Sequence, residues 1–134
     1  PGNLGTIVRT GEGAGITGIV MSNDSVDLYN PKVIRSTMGS VFRVPVAVVS
    51  DVKDAIKKMK QNGIETYAAH LNGMEYQKGA FGKDIALLIG NEAKGLSDEV
   101  SAMADKLIKI PMEGKVESLN AAVATAILMY EARR

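Results

Sequence analysis

A chain of 134 residues has the length of one ordinary domain, and 46% hydrophobic with 23% charged residues is a globular composition in which no apolar run approaches the ~18 residues of a helical membrane span. With 16 Lys+Arg against 15 Asp+Glu the net charge is +1, so no global field attracts polyanions and any nucleic-acid site must be local. The absence of cysteine excludes disulfides, thiolate nucleophiles and Cys-ligated metals, and the single histidine, His70, is too little for a His-rich metal site.

Along the chain, Leu4, Ile7 and Val8 give a short helical face after Asn3. Gly13-Ala14-Gly15-Ile16-Thr17-Gly18 has the glycine spacing of a dinucleotide fingerprint in the wrong order. It follows a helix and feeds a strand, so these glycines end the one and start the other. An apolar strand over 15–21 leads through the Asn23-Asp24-Ser25 turn to a helix over Pro31 to Met38, then to a strand over 46–49. Val52, Ala55, Ile56 and Met59 repeat with helical spacing, with Asp51 near the start and Gly63 past the end. Strands over 65–69, 85–89 and 107–110 follow, and from Ser118 a last helix places Leu119, Ala122, Val123, Ala126, Ile127 and Tyr130 on one stripe. That helix is apolar nearly all round, so part of it is expected to pack on another subunit. Five short aliphatic runs covered on both faces predict a single α/β unit with a small, mostly parallel sheet flanked by helices.

No Gly-x-Ser-x-Gly elbow supports a hydrolase, and 4% aromatic residues without Trp argue against stacking platforms as the main source of nucleic-acid affinity. Gly90-Asn91-Glu92-Ala93-Lys94-Gly95-Leu96-Ser97 has the glycine spacing of a phosphate-binding loop, but Leu96 stands where the lysine is needed. The segment follows a strand directly, and ligands of open parallel sheets sit beyond the carboxyl ends of the strands. It is either such a site, with Glu92 at its edge, or a turn in which Ser97 or Asp98 caps a helix. In Ile110-Pro111-Met112 through Ser118-Leu119-Asn120, Ser118 can cap the last helix, while Asn120 is a polar group in the first turn of an apolar helix that satisfies loop backbone or faces a ligand. Arg9 is a solvated cation or a phosphate clamp, and His70 ends its strand at the same sheet edge as a polar loop-start residue.

Together, Asn3-Leu4-Gly5-Thr6-Ile7-Val8-Arg9-Thr10, Leu88 through Ser97 and Ile110 through Asn120 resemble the three ordered motifs of the SpoU (TrmH-like) branch of the SPOUT RNA methyltransferases. Val33-Ile34-Arg35-Ser36-Thr37-Met38-Gly39-Ser40 resembles the segment usual between two of their strands. The resemblance implies an α/β fold with a deep C-terminal trefoil knot, a feature pattern reasoning discards because knots are so rare. It also implies a cytoplasmic homodimer, joined through the C-terminal helix region, that transfers methyl from S-adenosylmethionine to a ribose 2′-hydroxyl of RNA, ribosomal RNA before transfer RNA, without a metal. On this resemblance Ala69, Gly90, Ile110, Met112 and Leu119 form the cofactor cleft, and Asn3, Arg9, Glu92, Ser118 and Asn120 form the catalytic set. Arg9 would be the group that activates the hydroxyl. A guanidinium loses its proton only above roughly pH 12, so fixing the phosphate and stabilising alkoxide charge suits it better than acting as a base. Glu92 would orient Arg9 or Asn3, and Ser118 and Asn120 would brace the cofactor loop. Relatives usually carry a strand and an acidic residue before the Pro-x-Asn segment, and many carry an N-terminal RNA-binding domain. Residues 1–134 are therefore expected to be the methyltransferase domain without those parts. The competing readings are a noncatalytic RNA-binding or dimerisation module on the same scaffold and an unrelated nucleotide-binding α/β protein.

Overall fold

The structure, a computed structural model, describes residues 2–23, 30–76, 81–90, 95–115 and 119–133, and divides into two compact units, Pro1–Val52 and Lys53–Ala132. In the first unit, helix α1 (Gly2–Ala14) leads to strand β1 (Ile19–Ser22), helix α2 (Pro31–Thr37), a 3-10 turn (Ser40–Phe42) and strand β2 (Val46–Val49). α1 ends in a left-handed glycine: Gly15 has φ 81°, its N–H donates to the Glu12 carbonyl, and the Ile16 N–H donates to that of Gly11. Those bonds satisfy the last helical carbonyls, which gives the glycine-rich stretch its local purpose. The first strand accordingly starts at Ile19 rather than at Gly15. Asn30 caps α2 by accepting from the Lys32 N–H.

β1 and β2 pair in parallel, with Ile19 opposite Val46. The core of this unit joins Val8, Met21, Val33 and Val41, with Leu4, Ile19 and Val46 packed on it. Gly5 allows α1 and α2 to meet, because a Cβ there would stand 1.5 Å from Ser36 Oγ. Contrary to the expectation of strands covered on both faces, Val20 and Val48 are exposed.

The second unit contains helix α3 (Val52–Gln61), strand β3 (Glu65–Glu75), strand β4 (Ile85–Leu88), helix α4 (Asp98–Met103), strand β5 (Lys106–Lys109) and helix α5 (Ala121–Ala132). Gly63, at φ 78°, ends α3 as Gly15 ends α1. Ser97, one of the two expected caps, accepts from the Val100 N–H at the start of α4. The strand order is β4-β3-β5, and both ladders are parallel. Among the described residues the five expected strands fall in a two-stranded and a three-stranded sheet, one in each unit, where the sequence pattern predicts a single small sheet.

β3 also runs past His70, where the sequence pattern ends it. Ala69 and Met74 both pair with Ile108, so residues 70–73 make an excursion from the ladder. The strand re-forms because Gly73 lies against the Ile108 backbone, where a Cβ would be 2.6 Å from its nitrogen. Tyr67, Ile108 and Leu128 form the core, surrounded by Ala69, Tyr76, Phe81, Ile85, Leu87 and Ile110. α5 buries Ala122, Thr125, Leu128 and Met129, while Val123 and Tyr130, two residues of the apolar stripe, are exposed. A helix apolar all round offers no polar side against which its inner face could be told apart. Among the described residues no helix is long and apolar enough to cross a membrane.

Candidate active site

Because β4, β3 and β5 are adjacent and parallel, their carboxyl ends share one edge of the sheet. The register sets Ala68 beside Leu88 and Ala69 beside Ile108, so Ala69, Gly90 and Ile110 come together there. All three are half-buried, as are Met112 after β5 and Leu119 just before α5. Gly90 is required by a close backbone approach, since a Cβ on it would sit 2.2 Å from both the Gly95 carbonyl carbon and the Leu96 nitrogen. Gly95 has φ 65°, a conformation that suits glycine. The strand end and the segment before α4 therefore close on each other backbone to backbone.

Asn120 is exposed and lies just outside α5 rather than in its first turn. Its Oδ1 accepts from the N–H groups of Ala122 at 2.9 Å and Val123 at 3.2 Å, so it occupies the capping position the sequence pattern gives to Ser118. Ser118 and Glu92 lie outside the described residues. In the first unit, Asn3 is half-buried in the first turn of α1 and Arg9 is exposed two turns on. His70 lies within β3 rather than at its end, where its Nδ1 accepts from the Asn72 N–H at 3.0 Å and holds the excursion of residues 70–73.

Two polar networks escape any local reading. Asp105 Oδ2 accepts from the Thr66 N–H at 2.8 Å and from Thr66 Oγ1 at 3.0 Å, while the Asp105 N–H donates back to Thr66 Oγ1 at 3.0 Å. These bonds tie the start of β5 to β3 and hold the Asp105 carboxyl below its ordinary range, the Thr66 backbone N–H contributing most, then its hydroxyl. Glu12 on α1 accepts from Arg43 Nε at 2.5 Å, from Arg43 Nη2 at 2.8 Å and from Ser40 Oγ at 3.0 Å. The Arg43 hydrogen bond is the main cause that lowers the Glu12 carboxyl, and Glu12 in turn raises Arg43. The partners are 39 and 31 residues apart, beyond the reach of any pattern of neighbours.

Parallel strands alternating with helices define an α/β protein, the class in which ligands sit beyond the carboxyl ends of the strands. The SpoU rRNA Methylase family profile matches residues 1–130, and the chain belongs to that family. It is 38% identical to the 23S rRNA (guanosine(2553)-2′-O)-methyltransferase RlmP of Bacillus subtilis, covering 99% of this chain and 54% of that protein. The AdoMet-bound rRNA methyltransferase of Sinorhizobium meliloti superposes with a TM-score of 0.90 at 40% identity, over 99% of this chain and 51% of that one. The SpoU methyltransferase AviRb of Streptomyces viridochromogenes, solved in complex with AdoMet, superposes with a TM-score of 0.87 at 34% identity, over 99% and 52%. The chain spans about half the length of these relatives.

Proposed function

We propose that this chain is the catalytic part of an S-adenosylmethionine-dependent RNA 2′-O-ribose methyltransferase acting on ribosomal RNA, closed by a C-terminal trefoil knot and working as a homodimer. The observation that carries the reading is the meeting of Ala69, Gly90 and Ile110 at the carboxyl ends of three parallel strands, with Gly90 pressed on the backbone of Gly95 and Leu96. It is supported by family membership, by the AdoMet in two superposing structures and by the 2′-O-methyltransferase relative.

Ala69, Gly90, Ile110, Met112 and Leu119 suit a cofactor held by backbone groups and apolar contact. S-adenosylmethionine, when bound, supplies a sulfonium methyl open to displacement. The chain's own contribution is to position the 2′-oxygen and stabilise its developing charge. Arg9 holds the ribose and its phosphate as a cation, with Asn3 on the same helix as a hydrogen-bonding partner of the substrate. Glu92, Ser118 and Asn120 complete the proposed set, Asn120 acting through the α5 cap.

Calorimetric titration with S-adenosylhomocysteine tests the reading without the RNA. Saturable binding at one per chain is expected, and a folded chain that binds none would overturn it. Arg9→Ala is expected to abolish tritium transfer to ribosomal RNA while the S-adenosylhomocysteine affinity stays within about three-fold, because the substitution removes stabilisation of the reacting oxygen and leaves the cofactor contacts in place. Full turnover by that variant would remove Arg9 from the site. Labelling of transfer RNA instead of ribosomal RNA would reassign the substrate.

A further inference from the structure

The turn from Met38 to Arg43 is unusually well fixed for an exposed segment. Met38 and Gly39 both adopt left-handed backbone, with φ 54° and 89°. Ser40, Val41 and Val44 are buried, and Ser40 and Arg43 are both tied to Glu12 on α1. Between the buried Val41 and Val44, Phe42 is nevertheless 74% exposed, and Met38, four residues earlier, is 68% exposed. The chain has only two phenylalanines, and the other, Phe81, packs against Tyr67 and Tyr76. A ring held outward on a braced turn forgoes burial in a small core that has few aromatics to use.

The segment that carries Phe42 is rich in cations, of which Arg43 is paired with Glu12. Between Asn30 and Pro45 the sequence carries Lys32, Arg35 and Arg43 and no acidic residue, and Lys32 and Arg35 are exposed. Glu12, which grips the turn, lies three residues after Arg9 on α1, so the two share a helix face and the turn is anchored from the face that carries Arg9. We infer that Phe42 is a positioning residue for the RNA substrate: an unpaired base stacks on its ring while Lys32 and Arg35 meet the adjoining phosphates. Single-stranded bases are recognised in this way, by an aromatic face with cations beside it, and a single such contact adds to an RNA site without forming a platform. This inference rests on the methyltransferase reading, with Arg9 as the residue that meets the target ribose. Lys32 and Arg35, exposed on α2 with no acidic residue between Asn30 and Pro45, favour a polyanion over a second copy of this chain.

The test uses the intact protein, an unmodified protein-free 23S rRNA transcript in filter binding, S-adenosylhomocysteine calorimetry and sedimentation velocity. Phe42→Leu, which keeps apolar volume without the ring, and Phe42→Ala are expected to weaken RNA binding about ten-fold or more. Phe42→Tyr is expected to stay within about two-fold, with cofactor-product affinity and sedimentation coefficient unchanged in all three. Wild-type RNA affinity in Phe42→Leu would overturn the stacking role. A fall in sedimentation coefficient in Phe42→Leu and Phe42→Ala would overturn it in favour of a contact between copies. Wild-type protein that binds neither S-adenosylhomocysteine nor the transcript would bring down the methyltransferase reading as well, whereas normal binding of both with unaffected Phe42 variants sinks the stacking role alone.

Discussion

Gly90 and Asp105 show how differently two residues of one unit depend on their surroundings. At Gly90 the limit is steric: even alanine would place a carbon 2.2 Å from backbone atoms of Gly95 and Leu96, which cannot rotate away as a side-chain end can. Gly90→Ala is expected to abolish S-adenosylhomocysteine binding by calorimetry while the chain still unfolds cooperatively, and binding within two-fold of wild type would exclude this loop from the cleft. At Asp105 the limit is electrostatic. Its carboxyl is held below the ordinary 3.8 by Thr66, so the folded state binds the proton less readily than the unfolded one. The stabilisation is complete above that value and is lost as pH falls through the lower folded value. Urea midpoints of wild type and Asp105→Ala are expected to differ by a constant amount from pH 5 to 8 and to converge below about pH 3.8. A gap that persists undiminished in acid would mean that packing, not the ionised carboxylate, ties β5 to β3.

Among the elements, α5 separates capping from catalysis most cleanly. Asn120→Ala removes the acceptor for two N–H groups and is expected to lower stability by about 1 kcal/mol in urea unfolding, while Asn120→Ser restores most of it. If Asn120→Ser recovers stability but not methyl transfer, the amide has a role beyond the cap. The same helix marks the boundary of what was legible in the sequence. Each of the five strands among the described residues overlaps an aliphatic run between turn residues, and Gly15 and Gly63 end the helices that precede them, because those signals are local. The continuation of β3 through His70 to Glu75 was not legible, since it depends on Gly73 meeting a backbone far along the chain. Nor was the inner face of α5, which from Ala121 to Tyr130 is apolar on every side, with Thr125 its one polar residue. At the site, the glycines and the strand-end position of Ala69, Gly90 and Ile110 could be read, but the capping role of Asn120 and the Glu12–Arg43 pair could not.

For the whole molecule, the outward residues of α5 bear on assembly. Val123 and Tyr130 lie seven residues apart on one helix face and stay exposed, 49% and 42%, so the proposed homodimer has an apolar surface to bury. Val123→Arg is expected to convert the dimer to monomer in sedimentation at micromolar concentration, and an unchanged dimer would place the interface elsewhere. The parallel ladders have a different consequence, one of time rather than structure. Ile19 waits for Val46, Glu65 for Ile85 and Tyr67 for Lys106, so no strand among the described residues finds its partner through a tight hairpin. Each pairing closes a long loop before contacts compensate the lost chain entropy, so refolding belongs in the slow range of two-state proteins. During synthesis the three-stranded sheet cannot be completed until β5 has left the ribosome, and a chain halted before Lys106 would hold β3 with one side bare, a natural target for chaperones.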